Sequence, residues 1–295
     1  MNNLVKNVIL TPLNILYQYS PKNAIQIMFY LKTGQRLNLK NPSLFNEKLQ
    51  WIKLYDKNEL MPICVDKYEV RQYIKDCGCE EILNHLLWEG FQAEEIPFEK
   101  LPERFVIKVT HGQGFNIICK DKKDLNIPKT IKKLKRWLHA KYLPCYGEWF
   151  YGKVKPRIII EDFLVNGQED TPNDYKVFCF HGNPKIIDVH VDRYTNHRRN
   201  IYDLEWNRIE NVILKYPNDR NLSVEKPKVL EQLLTYARKL SEQFMHVRVD
   251  FYIIDSKIYF GELTFTNGAG FDSISPKEFD EIMGSWIDLR KGEEV

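Results

Sequence analysis

Three stretches of this chain carry two runs of alternating apolar residues joined by a short polar turn, the pattern of an antiparallel hairpin. The first is Arg104–Val109, a glycine turn at His111-Gly112-Gln113-Gly114, and Asn116–Cys119. The second is Asp174–Phe180, a turn at His181-Gly182-Asn183-Pro184, and Lys185–Val191. The third is His246–Ile253, a turn at Asp255-Ser256, and Lys257–Thr264. A further apolar strand, Arg157–Leu164, stands between the first two hairpins, and helical patterns separate the sheets. One helix is predicted near 129–141. Another spans 224–244, with Leu230, Leu233, Leu234, Ala237, Leu240 and Phe244 on one face and Pro227 tolerable only in its first turn. Hairpins alternating with single helices predict an α+β fold.

The chain of 295 residues has room for two compact units of roughly 100–200 residues each. Its 43% hydrophobic and 28% charged residues are the balance of a folded globular chain. Residues 1–60 read as helices and loops, with Asn41-Pro42-Ser43 as turn and cap before the periodic run Leu44–Ile52. A helix is also expected over 64–76, capped by Asp66 and carrying Val70, Tyr73 and Ile74 at helical spacing. A net charge of +3 is too mild to make nucleic acid the main partner. The one basic cluster, Lys129–Leu138, puts Ile131, Leu134, Trp137 and Leu138 on one helical face and its cations on the other. That face reads as solvated, the alternative being a site that meets an anionic substrate or a membrane surface.

The six cysteines, Cys64, Cys77, Cys79, Cys119, Cys145 and Cys179, contain one close pair and no zinc-like spacing, so free thiols in a reducing compartment are expected. Residues 1–20 lack a secretory pattern, and no window offers the roughly 20 uninterrupted apolar residues of a spanning helix. A soluble, cytoplasmic protein is the expectation. The aromatic-rich amphipathic stretch 4–31 is expected to pack on the body, a peripheral contact at the inner face of a membrane or with polysaccharide assembly machinery being its other use.

Several of these elements carry residues suited to chemistry. A strand ending near Lys108 and followed by Gly112 and Gly114 can lower a backbone flap over phosphates while the ammonium neutralises them, although glycine-tipped hairpins are also common as plain turns. In the last hairpin Asp250 and Glu262 can face each other across neighbouring strands, an arrangement that costs free energy unless a cation such as Mg²⁺ joins them. Two exposed strand residues would be the bland reading of that pair. The end of the strand at Glu161-Asp162-Phe163-Leu164 can offer backbone groups to an adenine and a carboxylate to a ribose. Lys176, Arg193, Arg198, Arg199 and Arg248 place cations in strands or a nearby loop, either as structural ion pairs or as the fixed charges an acyl-phosphate would need. Hydrolase patterns G-x-S-x-G and H-E-x-x-H are absent, as is the Walker loop.

In their order these pieces resemble the TupA-like ATP-grasp proteins of surface-polysaccharide biosynthesis, over about residues 40–290. The local marks are Asn41–Trp51, Val65-Asp66-Lys67-Tyr68, Phe105–Lys108 with His111–Gly114, Ile160–Leu164, Asp174–Phe178, and Val247–Tyr252 with Gly261–Phe265. The resemblance implies an ATP-grasp fold in which two α+β lobes clasp ATP, behind a helical N-terminal segment. Its expected divisions are 1–60 for that segment, 61–100 for the first part of the body, 101–165 for a small lobe with the glycine flap, and 166–295 for a large lobe with the metal site. It also implies that Lys67 and Lys108 contact phosphates, that Glu161 to Leu164 meet adenine, and that Asp174 meets ribose.

The same resemblance makes Asp250 and Glu262 the Mg²⁺ carboxylates. Many members of that superfamily have an E-x-N triplet where this chain reads Glu262-Leu263-Thr264, so Thr264 is a weaker third ligand or none, with water filling the sphere or Asn267 as a substitute. Lys176, Arg193 and Arg248 would stabilise transferred charge. The implied activity is an ATP-dependent carboxylate–amine ligase, its partners being ATP, an anionic sugar or polysaccharide acceptor and an amine or amino acid. A sugar phosphotransferase using the same ATP site is the alternative. A glycosyltransferase is another, against which stands the absence of any D-x-D.

Overall fold

The computed structural model describes residues 3–112, 114–165, 172–192 and 195–289. Helices open the chain: α1 (Asn3–Tyr19), α2 (Pro21–Thr33), α3 (Phe45–Tyr55), α4 (Leu60–Val65) and α5 (Val70–Asp76). On α2, Ala24, Ile25, Met28 and Phe29 are buried at helical spacing, while Tyr30 and Leu31 face out. No described helix is long and apolar enough to cross a membrane.

The α3 helix is stapled to the far end of the chain. Phe45 N donates to Asp280 Oδ1 at 2.9 Å, Gln50 Nε2 to Gly270 O at 2.7 Å, and Lys48 Nζ to Ile287 O at 2.6 Å. Ser43, expected as its cap, does not serve. Glu47 reaches back instead to accept from Ser43 N and Leu44 N, at 3.0 and 3.2 Å. The helix expected over 64–76 is also corrected: α4 ends at Val65 and α5 begins at Val70. Asp66 caps the turn between them, its Oδ1 accepting from Tyr68 N and Glu69 N at 2.8 and 3.3 Å.

A small four-stranded antiparallel sheet follows, built from β1 (Leu86–Gly90), β2 (Phe105–Val109), β3 (Asn116–Cys119) and β4 (Ile158–Asp162), in the order β1-β4-β2-β3. Helix α6 (Ile127–Leu138) covers one face, where Leu134, Ile131 and Trp137 pack on Phe105, Ile107 and Ile160. Registers Val106↔Glu161, Lys108↔Ile159, Lys108↔Asn116 and Val106↔Ile118 put those six residues on the other face.

The larger sheet contains β5 (Asp174–Phe180), β6 (Asn183–Val191) and β7 (Arg198–Tyr202). After the short strands β8 (Ile213–Leu214) and β9 (Tyr216–Pro217) comes α7 (Leu230–Ser241), which starts later than expected and leaves Pro227 outside it. The sheet is completed by β10 (His246–Ile254) and β11 (Lys257–Thr264), and its order is β11-β10-β5-β6-β7. Leu233, Ala237 and Leu240 of α7 share one core with Val177, Val247 and Val249. A last short strand, β12 (Ile274–Ser275), pairs with β8, and α8 (Lys277–Ser285) packs against α3. Gly284 permits that approach, because a Cβ there would collide with the Ser43 carbonyl oxygen.

His246 sits fully inside this core beside Phe45 and Phe180, with Nδ1 against Cys179 O and Nε2 against Asn267 Oδ1. Burial lowers its pKa to about 4, against the opposing pull of those two acceptors. A depressed folded-state value means that the unfolded chain takes up the proton first as pH falls. The neutral form's contribution is therefore complete above the ordinary histidine range and is lost on the way down to about 4. That loss is roughly 3 kcal/mol. Urea unfolding of wild type and His246→Gln at about pH 7 and about pH 4 should show wild type losing that much more than the variant; parallel losses would contradict it.

Candidate active site

The polar faces of the two sheets meet across a cleft. On the small-sheet side, Lys108 Nζ lies 2.6 Å from Glu161 Oε2, and Arg71 NH1 is 3.1 Å from Glu161 Oε1. Arg71 also donates to Asn84 O at 2.8 Å. Glu161 is buried, so two cations clamp its carboxylate and it in turn fixes the Lys108 ammonium over the cleft.

Lys67 is presented by the turn that Asp66 caps. Its Nζ donates to Gly112 O of the flap at 2.8 Å, and among the described residues it pairs with no carboxylate. Burial lowers its pKa, with Lys108 adding to the effect and Glu262 opposing it. The ammonium is thus held at the flap with little direct neutralisation. Gly114 has φ +73°, a left-handed conformation that suits glycine, while Gln113 lies outside the described residues.

Across the cleft, Asp250 and Glu262 stand directly opposite each other in the β10–β11 register. Gly261 forms the bulge beside them, where a Cβ would come within 3.0 Å of Asp250 O. The two carboxylates live in different surroundings. Asp250 is 3% exposed, with Oδ1 2.6 Å from Arg248 Nε and Oδ2 2.7 Å from Arg248 NH2 and 2.5 Å from Lys176 Nζ. Burial pushes its carboxyl up, but Arg248 and Lys176 outweigh that and hold it below the usual carboxylate range. Lys176 also meets Asp174 Oδ2 at 2.6 Å. Glu262, by contrast, is 39% exposed, and its contacts among the described residues are long, 3.4 Å from Arg248 NH2 and 3.3 Å from Thr264 Oγ1. Asn267 points elsewhere, to His246.

The cleft has two connected parts. A polar part of about 570 Å³ is lined by Lys67, Arg71, Lys108, Glu161 and Glu262. An apolar slot of about 660 Å³ is lined by Val106, Ile118, Phe163, Leu164 and Tyr252, with Asp162 and Asp174 at its edges. Lys108 and Asn84 line both parts and mark where they join.

The expected residues are thus largely brought together, with differences in what each does. Glu161 faces the polar part and is consumed by Lys108 and Arg71. Asp162 faces away to His85 at 3.2 Å, while its N–H donates to His85 O and its carbonyl accepts from Asn84. Arg199 lies farther along the sheet, its Nε 2.7 Å from Asp188. Arg193 lies outside the described residues. Sequence reasoning missed Arg71, Asn84 and Tyr252. Of these Arg71 had a signal, since it follows Lys67 by four residues, and a short loop or helix there keeps the two close.

A family model described as TupA-like ATPgrasp matches residues 47–288. No curated protein matches the chain. Among solved structures, a D-alanine–D-alanine ligase from Bacillus anthracis is similar, at 16% identity and a TM-score of 0.49, over 79% of this chain and 69% of that one. An L-amino acid ligase from Bacillus licheniformis is similar at 14% identity and a TM-score of 0.47, over 77% of this chain and 50% of that one.

Proposed function

The chain belongs to the TupA-like ATP-grasp family, and we propose that it is a ligase that activates a carboxylate with ATP and joins it to an amine as an amide. The carboxylate is proposed to be a uronic acid of a surface polysaccharide or of its sugar precursor. The observation that carries this reading is the placement of Lys67 and Lys108 opposite Glu262 in a polar cleft that runs into an apolar slot.

In this reading the base of ATP enters the slot between Val106 and Ile118 on one side and Phe163 and Leu164 on the other. Asp174, at the slot's edge, meets the ribose. The triphosphate then runs past Lys108 towards Lys67 and the flap, where the two ammonium groups neutralise oxygens that gain charge as the γ-phosphoryl group moves. A substrate carboxylate oxygen attacks the γ-phosphorus, the bond to the β-phosphate oxygen breaks, and ADP leaves an acyl-phosphate. An amine nitrogen attacks the acyl carbon, phosphate departs, and the nitrogen loses its proton to give the amide.

The donor chemistry also fits Mg²⁺, since a register pair of carboxylates with a hydroxyl nearby supplies hard oxygen ligands. Glu262, more exposed and loosely held, would take the ion first; Asp250 would join it on giving up a contact of one oxygen to Arg248 or Lys176, with Thr264 as a third oxygen. Bound there, Mg²⁺ supplies charge neutralisation to the phosphate oxygens. Arg248 and Lys176 keep Asp250 ionised and oriented, and Arg248 is aimed at Glu262 and Thr264 as well.

Mg-ATP binding followed by calorimetry should weaken about tenfold or more in Lys67→Met and in Lys108→Met, each of which deletes a charge-assisted contact to phosphate. Unchanged affinity in both would remove the lysines from the site. The activity itself is tested with Mg-ATP and a panel of uronic acids and amines. Release of ADP and phosphate together with a product of amide mass is expected. No release above background would sink the ligase reading, and a phosphate ester would identify a phosphotransferase.

A further inference from the structure

A third open space, of about 740 Å³, adjoins the polar part of the cleft, and Tyr151 lines both. It lies at the flap, since His111 and Gly112 are among its walls and Gly112 O is the atom that holds Lys67. The slot, the polar part and this space therefore form a series. The third space lies past the lysines, at the end away from the slot.

Two of its lining side chains are hydrogen-bond acceptors without a full set of donors. His111 is 7% exposed, and its Nε2 lies 2.9 Å from Ala140 O. A carbonyl oxygen only accepts, so Nε2 carries the proton and Nδ1 is left as an acceptor. That Nδ1 is buried and has no partner, a costly state for a polar atom unless a ligand completes it. Burial also lowers the ring's pKa, which favours this neutral form. Glu148, the second acceptor, is anchored through Oε1, which accepts from Thr266 Oγ1 at 2.5 Å. Among the described residues no donor reaches its Oε2. Burial pushes the Glu148 carboxyl up, and the buried Lys53 nearby, whose ammonium donates to Tyr146 O and Ala269 O at 2.7 and 2.8 Å, opposes that shift.

Aromatic rings complete the walls. Phe115, Tyr142, Tyr146 and Tyr151 all line the space, and faces of this kind attract cations. Lys141, exposed at the rim, is the one cation among the lining residues. Acceptors, a carboxylate and aromatic faces recognise a donor that carries positive charge.

We propose that this third space is the binding site of the amine substrate, with Glu148 recognising its ammonium group and the neutral His111 ring walling its flap side. The assignment rests on the ligase reading above, and it places the amine beyond the γ-phosphate end of the nucleotide. Thr266 follows β11 by two residues, so Glu148 is tethered close to the strand that bears Glu262.

Saturation-transfer NMR on the full chain with Mg-ADP, using D-glucosamine, glycinamide, L-lysine and their N-acetylated counterparts as probes, tests the site. Wild type should bind at least one amine saturably, and N-acetylation of the binding amine should abolish the signal. Glu148→Gln should weaken that binding about tenfold, and Tyr142→Ala severalfold, while calorimetric Mg-ATP affinity stays at the wild-type level in both. Should Glu148→Gln fail to fold, Tyr142→Ala decides. Amine affinity unchanged in the folded variants, or no binding of any probe to wild type that still binds Mg-ATP, would overturn the proposal and leave the ligase reading standing. Wild type that does not bind Mg-ATP would overturn both.

Discussion

Replacement of Glu262 by Gln is expected to cut ATP turnover by roughly two to three orders of magnitude while leaving the fold intact. The substitution removes a negative charge but keeps the shape of the side chain. The residue is 39% exposed and its contacts to Arg248 and Thr264 are 3.3 Å or longer, so little stability depends on the charge. Its catalytic position is different, because it is the accessible carboxylate facing Lys67 and Lys108 across the polar cleft. The melting temperature should stay within about 2 °C of wild type. Full turnover in Glu262→Gln would show that the acidic pair does no work on the nucleotide.

The facing carboxylate should respond in the opposite way. Asp250→Ala is expected to destabilise the protein by about 3–5 kcal/mol, because it leaves Arg248 and Lys176 beside each other in a buried site without their counter-ion. Lys176 would retain only Asp174, at 2.6 Å. The pH dependence follows from the depressed pKa of Asp250. Its stabilisation is complete above the ordinary aspartate range and is lost as pH falls towards the lower folded-state value, so the gap between wild type and variant should narrow in acid. Denaturant unfolding at neutral and acidic pH gives both quantities. A neutral-pH difference below about 1 kcal/mol would mean that the three-residue ion cluster is not what holds β5 and β10 in register.

That contrast between Asp250 and Glu262 was invisible in the sequence, although their pairing was not. Alternation along His246–Ile253 and Lys257–Thr264, closed by a two-residue turn, sets the register locally, and the observed strands place the two residues opposite each other. The neighbour on the other side of β10 is β5, some seventy residues earlier, and no local pattern announces such a pairing. The Lys176–Asp250 contact comes from that pairing and hence was readable only as a set of unassigned cations.

Glu161 shows a similar limit. Its position at a strand end suggested a polar edge, but strand alternation sends its side chain to the cleft face and that of Asp162 to the other. The strand Leu86–Gly90 escaped detection because it is an edge strand, half-buried along its whole length, without the buried–exposed rhythm that marks a central hairpin. The helix expected over 64–76 failed for a different reason. Asp66 competes for backbone N–H groups and breaks it, and the resulting turn is what brings Lys67 to the flap. Glu148 had no readable signal and His111 was read only as part of the glycine turn, since both acquire their place from a space assembled by the flap, the segment after α6 and the residues beyond β11.

The most direct test of the account is a crystal structure of the protein with Mg²⁺ and a non-hydrolysable ATP analogue. The predicted result has the base in the slot beside Phe163 and Leu164, the phosphates in contact with Lys108 and Lys67, and the ion on Glu262 and Asp250. A nucleotide bound elsewhere, or in this cleft with its phosphates turned away from both lysines, would contradict it.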